Sequence, residues 1–240
     1  MNPEIITAMD VSSSQDMTAL LDTMPKELTW CKLGLELFCA EGPDSLIPLK
    51  KRGKNIFLDL KLHDIPHTVA QAVRSAARHN IQMLTLHASG GREMLAAAAK
   101  AAAEFGNARP KLLAVTVLTS LDENDFTDLG ITRSPLEQVT ALANLAISAG
   151  IDGLVCSARE VGALRKELGP TPLLVTPGIR LPSGTINDQK RVATPADAAR
   201  DGATHLVIGR PITQSSDPTA TVTAIHASIE QGMLERDACD

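Results

Sequence analysis

Two residues apart in the run IFLDLKLHDIPHTV, Asp59 and Lys61 set a carboxylate and an ammonium into a stretch that otherwise consists of apolar, β-forming residues. On a strand, that spacing turns both side chains to one face. The strand is expected to end near Leu62, with His63, Asp64 and Ile65 in a turn and Pro66 in the first turn of a helix. Asp-x-Lys-x-x-Asp is therefore a charge cluster at the carboxyl end of a strand. Charges in that position are not a solvated surface run. The competing explanation is a partly buried ion pair that pins the turn, although such pairs are weak evidence for stability.

The elements that must position this cluster recur along the whole chain. Apolar, β-rich runs fall at residues 5–10, 30–38, 56–62, 83–88, 112–118, 153–157, 173–179 and 205–212, with helix-length segments between them. Eight strands alternating with helices in 240 residues predict one α/β domain spanning 1–240, a (β/α)8 TIM barrel. Helix starts agree with this reading. Pro66 opens a helix running to about His79, and Gly90-Gly91-Arg92 opens an Ala-rich helix from Glu93 to Phe105. Ser134-Pro135 with Glu137 is a capping box before Leu136 to Ser148, and Thr194-Pro195 with Asp197 opens a short helix. An open doubly wound sheet is the alternative, yet Asp10-Val11-Ser12-Ser13 follows the first strand where a dinucleotide-binding sheet would carry GxGxxG.

Active sites of barrels lie at the carboxyl ends of the strands. Those ends carry Asp10, Lys32 (inside the second strand), Asp59 with Lys61, His87, Thr119 with Ser120, Ser157, Pro177-Gly178 with Arg180, and Gly209-Arg210. A barrel serving structure alone has no need of so many charges at one mouth. Loops after strands seven and eight commonly bind phosphate in this fold. Gly209 would let an anion approach the backbone and Arg210 would offer a guanidinium fork, with Arg180 and Gln189 completing the cage from the neighbouring loop. That loop, Leu181 to Arg191, is a lid candidate, and the acidic connection from Ser120 to Arg133 is either a second lid or a surface excursion. His87 either lines the pocket or is a hydrogen-bonded structural imidazole, the reading favoured here, and His63, just beyond Lys61, is given no catalytic role.

Composition narrows the partners. With 23 Lys and Arg against 28 Asp and Glu the net charge is −5, which disfavours nonspecific nucleic-acid binding and leaves an anionic ligand to a few placed cations. The start MNPEIITAMD has neither the basic beginning nor the apolar core of a signal peptide, and no apolar run is long enough to span a membrane. A cytoplasmic location is expected. Cys31, Cys39, Cys156 and Cys239 show no CxxC spacing, and no HxH or HExxH occurs, so reduced thiols and no metal site are expected.

The run from Asp59 to Val69 closely resembles the signature of the orotidine 5′-monophosphate decarboxylases, in their bacterial branch. The resemblance extends through Ala8-Met9-Asp10, Cys31-Lys32-Leu33-Gly34, Val117-Leu118-Thr119-Ser120, Thr176 to Arg180, Asp188 to Val192 with Thr194-Pro195, and Gly209 to Ile212. It implies conversion of orotidine 5′-monophosphate to UMP and CO2 without cofactor or metal. It further implies that Lys61 is the proton donor in a charged network with Asp59, Lys32 and Asp64, the last contributed across a homodimer interface with shared active sites. Asp10 and Lys32 would meet the ribose hydroxyls and Thr68 would reach the ribose from the second subunit. Thr119 and Ser120 would lie by the pyrimidine, with Pro177 nearby, while Arg180, Gln189, Gly209 and Arg210 would bind phosphate. A sugar-phosphate decarboxylase or aldolase of the same superfamily would share Asp-x-Lys-x-x-Asp but use a magnesium-stabilised enediolate. The continuation from His63 to Thr68 and the Arg180/Gln189 loop resemble the nucleotide enzyme instead. A nucleotide-binding barrel that has lost its chemistry would be expected to show a broken cluster, and all four charged members are present.

Overall fold

The computed structural model describes residues 2–181 and 193–238. Its strands are β1 (Glu4–Ala8), β2 (Trp30–Gly34), β3 (Asn55–Leu62), β4 (Met83–His87), β5 (Lys111–Val115), β6 (Gly153–Val155), β7 (Leu173–Thr176) and β8 (His205–Ile208). All are parallel and pair in chain order, and β8 returns to β1, so the sheet closes into the expected barrel. Among the described residues the helices are α1 (Ser14–Thr23), α2 (Leu35–Glu41), α3 (Ile47–Lys51), α4 (Pro66–Ala77), α5 (Gly91–Ala103), α6 (Glu123–Asp128), α7 (Pro135–Ser148), α8 (Val161–Leu168), α9 (Pro195–Arg200), α10 (Arg210–Thr213) and α11 (Pro218–Asp237). None of them is long and apolar enough to cross a membrane.

Neighbouring residues of one strand serve two separate cores, which is why the strands read as unbroken apolar runs. Ile6, Phe57, Met83, Leu113, Val175 and Val207 pack together inside the barrel. Ile5, Leu58, Leu84, Leu112, Leu174 and Leu206, each one residue away, belong to the layer between barrel and helices. Burying each of these larger side chains contributes about 1.5–3 kcal/mol. The layer stays thin around α4 and α5, where Ala70, Ala76, Ala98, Ala101 and Ala102 are buried.

Both capping boxes form. The Ser134 side chain accepts from the Glu137 N–H and Glu137 accepts the Ser134 N–H, and Thr194 and Asp197 do the same at α9. Several strands stop earlier than their apolar runs suggest. Leu35 to Phe38 belong to α2, not β2, and Arg210 to Ile212 belong to α10, not β8. In both cases a glycine, Gly34 or Gly209, is the helix N-cap, so the chain turns away from the sheet while its residues remain apolar. The connection from Ser120 to Arg133 contains α6, capped by Asp122, instead of being a loop throughout.

Candidate active site

At the carboxyl ends of the strands, side chains from β1 to β3 form an arc of alternating charge. Lys61 Nζ donates to both Asp59 carboxylate oxygens at 2.9 Å. Asp59 Oδ2 lies 3.9 Å from Lys32 Nζ, and Lys32 Nζ in turn donates to Asp10 Oδ1 at 2.9 Å. Asp59 and Lys32 side chains are 13 % exposed, so this part of the chain of charges is shielded from water, whereas Asp10 is 64 % exposed at its outer end. Shielding strengthens the contacts of Asp59 relative to a surface pair. A Cβ on Gly34 would stand 3.2 Å from the Lys32 Nζ, so a side chain here would crowd the ammonium.

The route by which Asp59 and Lys61 meet is not the regular pleat that their spacing suggests. β3 pairs with β4 through Phe57↔Met83 and Leu58↔Leu84, then shifts register so that Leu62 stands against Leu86. Lys61 has φ +50°, a conformation uncommon for a residue with a side chain. This break is held from β4. The buried Thr85 hydroxyl accepts the Lys61 N–H at 2.8 Å and donates to Asp59 Oδ1 at 2.9 Å. Sequence reading passed over Thr85; its signal was a lone hydroxyl in the apolar run MLTLH.

Continuing around the rim from Asp10, the next positions are Gly209 and Arg210 after β8 and Arg180 after β7. They line the same cavity, of about 260 Å³, as Asp10, Lys32, Asp59 and Lys61. A Cβ on Gly209 would stand 3.3 Å from the Ala8 Cβ and 3.7 Å from Asp10 Oδ2, so this glycine keeps the passage between the carboxylate and the arginine open. Thr119, Pro177 and Gly178 also line the cavity, and Val115, Val117, Val155 and Cys156 give it an apolar wall. Burial raises the Cys156 thiol far above its ordinary range, so it is an inert part of that wall.

Other expected residues fall elsewhere. Ser120 is exposed and outside the lining. Ser157 is fully buried and caps the turn Ala158–Glu160, so it does not reach the mouth. Asp64 and Thr68, expected to serve the site of a second subunit, are exposed, and Asp64 accepts the N–H of its neighbour Ile65 at 2.6 Å. Gln189 and the lid candidate beyond Leu181 lie outside the described residues. His87 does not line the cavity; its ring sits 5.4 Å from that of His63. Burial, then the nearby His63 and Lys61, lower the His87 pKa from its ordinary value, against the opposite influence of Asp59. Its surroundings therefore favour the neutral imidazole. Among the described residues, no three His, Cys, Asp or Glu side chains gather as a metal-binding group.

Fold and site together define a (β/α)8-barrel enzyme with a lysine–carboxylate centre at the carboxyl face of its strands and arginines across the same cavity. Residues 3–225 match the model of the Orotidine 5'-phosphate decarboxylase / HUMPS family, and the chain belongs to that family. It is 48 % identical over 223 residues to an orotidine 5'-phosphate decarboxylase of Neisseria meningitidis serogroup C / serotype 2a, covering 92 % of this chain and 90 % of the relative. A relative of the same name from Pectobacterium carotovorum subsp. carotovorum is 46 % identical, over 95 % of this chain and 92 % of its own. Among solved structures, the orotidine 5'-phosphate decarboxylase from Lactobacillus acidophilus superposes with a TM-score of 0.84 at 38 % identity, over 95 % of this chain and 99 % of that one.

Proposed function

We propose that this protein decarboxylates orotidine 5′-monophosphate to UMP and CO2 in pyrimidine nucleotide synthesis, without cofactor or metal, and that Lys61 protonates C6 of the pyrimidine. Family membership supports the reaction. The single observation that carries the mechanism is the arc Lys61–Asp59–Lys32–Asp10, continued by Gly209, Arg210 and Arg180 on one cavity. One end of that arc suits a reacting anion and the other a phosphate, with Thr119 and Pro177 beside the base and Asp10 and Lys32 by the ribose.

Loss of CO2 leaves a lone pair at C6, with no adjacent carbonyl to take it up. The Lys61 ammonium stabilises this charge and then transfers a proton to it, forming the new C–H bond of UMP. Asp59, held by Lys32, Lys61 and Thr85, is unable to swing away from the substrate carboxylate. Carboxylates ~4 Å apart repel by roughly 4 kcal/mol at an effective dielectric near 20, an upper-end figure worth about three decades of rate. Stabilisation of the carbanion is the larger contribution. Phosphate binding at Arg210, Arg180 and Gln189 supplies energy far from the breaking bond that can be expressed in the transition state. The same carboxylate, Asp59, already accepts from the Lys61 ammonium and the Thr85 hydroxyl with the Lys32 ammonium 3.9 Å away, an environment that opposes a bound divalent cation.

We further propose a homodimer of single-domain barrels in the cytoplasm, in which Asp64 and Thr68 of each copy complete the other's site. Support comes from their exposure and from a second recess of about 230 Å³ beside Asp10, Lys32, Asp59 and Lys61, walled by Gly34 and Glu36, with room for another carboxylate.

The test is ultraviolet-monitored turnover of orotidine 5′-monophosphate by chelator-treated protein, beside Lys61→Ala. Metal-free turnover that disappears in the variant is expected. No turnover, or turnover only after magnesium is restored, would overturn the metal-free reading and favour a sugar-phosphate enzyme of the same superfamily, with Asp59 and Asp64 recast as metal ligands.

A further inference from the structure

We propose that Thr85 is a positioning residue for the reaction: its hydroxyl ties the Asp59 carboxylate to the Lys61 backbone and so fixes where the Lys61 ammonium stands. This rests on the decarboxylase reading above. Thr85 is fully buried and does not line the cavity, so it acts through Asp59 and Lys61 without touching substrate.

The need for it arises from the register break. Between the pairs Leu58↔Leu84 and Leu62↔Leu86, three residues of β3 (Asp59, Leu60 and Lys61) stand against Thr85 alone on β4. With Lys61 at φ +50° its N–H is satisfied by a side chain, the Thr85 hydroxyl at 2.8 Å. A hydroxyl has one proton to give and lone pairs to receive with. Here the proton goes to Asp59 Oδ1 at 2.9 Å while a lone pair takes the Lys61 N–H. Asp59 Oδ1 also receives Lys61 Nζ at 2.9 Å, which closes a ring through Lys61 N–H, Thr85 Oγ1, Asp59 Oδ1 and Lys61 Nζ.

The ring holds Lys61 at both its backbone and its ammonium. It also leaves Asp59 anchored on β4 when Nζ turns to the C6 carbanion, so the carboxylate stays behind as the proton moves. Valine matches the shape of threonine but has neither the proton nor the lone pair, whereas serine keeps both. Small misplacements of a catalytic group are costly even when their cause is remote.

Steady-state kinetics on orotidine 5′-monophosphate would compare the natural protein, Thr85→Val and Thr85→Ser, with thermal unfolding run on each. Thr85→Val is expected to lower kcat by about 10- to 100-fold with KM within about threefold, because Thr85 lies away from the phosphate and ribose contacts. Thr85→Ser is expected to restore kcat to within about threefold of the natural protein. A kcat for Thr85→Val within twofold of natural, a loss carried by KM, or no recovery with serine would overturn the role of Thr85 alone. Absence of turnover in the natural protein would remove the decarboxylase reading itself. Where Thr85→Val does not fold, Thr85→Ala takes its place against Thr85→Ser with the same expected ratio.

Discussion

Replacing Asp59 by asparagine removes one charge from the centre of the arc and leaves its shape nearly unchanged. Lys61 Nζ stands 2.9 Å and Lys32 Nζ 3.9 Å from this carboxylate. At an effective dielectric near 20, those distances correspond to gross attractions of about 6 and about 4 kcal/mol, of which desolvation offsets a large share. What matters for the reaction is the difference between substrate and product. On the proposed mechanism the substrate brings a carboxylate against Asp59 and the product does not. Relief of a repulsion of roughly 4 kcal/mol should lower kcat by about three decades while orotidine 5′-monophosphate binds no more weakly, and more tightly if the relief appears in the ground state. UMP, lacking the carboxylate, should bind the Asp59→Asn variant with little change. Saturating ultraviolet assays give kcat, and calorimetric titration of UMP gives the reference affinity. A kcat within tenfold of the natural protein, or a parallel loss of affinity for substrate and product, would refute the assignment of Asp59 as a carboxylate fixed against the leaving group.

Two further outcomes probe other parts of the molecule. Arg210→Ala should reduce kcat/KM by about 10²- to 10⁴-fold, the loss of one or two charge-assisted hydrogen bonds to phosphate, although it touches no reacting atom; an effect below about threefold would remove the phosphate site from this loop. Far from the cavity, Asp152 accepts both Arg109 guanidinium nitrogens, at 2.8 and 2.5 Å, and the Leu112 N–H at 2.9 Å. Burial by itself would raise this carboxyl, but Arg109, the Leu112 amide and Lys111 outweigh it and hold the pKa below the ordinary 3.8. Because the unfolded chain takes up the proton first as the solution is acidified, this contribution is complete above the ordinary value and lost as pH falls through the lower folded one. Asp152→Asn should therefore cost about 2 kcal/mol in denaturant unfolding at pH 7, with a gap that narrows below pH ~4; a gap independent of pH would contradict the ion-pair account.

The rim illustrates how differently parts of a site are encoded. Asp10, Arg180 and Gly209-Arg210 are legible in sequence because each follows or ends an apolar run, and Lys32 because it is a lone charge inside one, while a barrel brings all strand ends to one mouth. Ser157 ends such a run too, yet its side chain turns inward to cap Ala158–Glu160, a choice of rotamer and local turn that run length does not express. Likewise, Leu35 to Phe38 carry the apolar residues of a strand but fold as a helix, because Gly34 releases the chain from the sheet where Lys32 must reach Asp10.

By itself, the sequence determined the barrel: eight doubly buried strands demand unbroken apolar runs, and those runs alternate with capped helices at a spacing that parallel closure satisfies. It also pointed to the charged residues that line the cavity at the carboxyl ends of the strands, since a charge there is not retained without a partner or a ligand. Tertiary structure alone decided how those charges touch. Lys61 leaves the regular strand conformation, and its N–H is satisfied by Thr85, 24 residues further along the chain, while Asp64, only three residues away, is exposed and accepts the N–H of Ile65. The physical reason is that pairing register between β3 and β4 is set by closure of the whole barrel. A slip of that register moves side chains from one face to another, and no spacing within β3 can report where the neighbouring strand has come to rest.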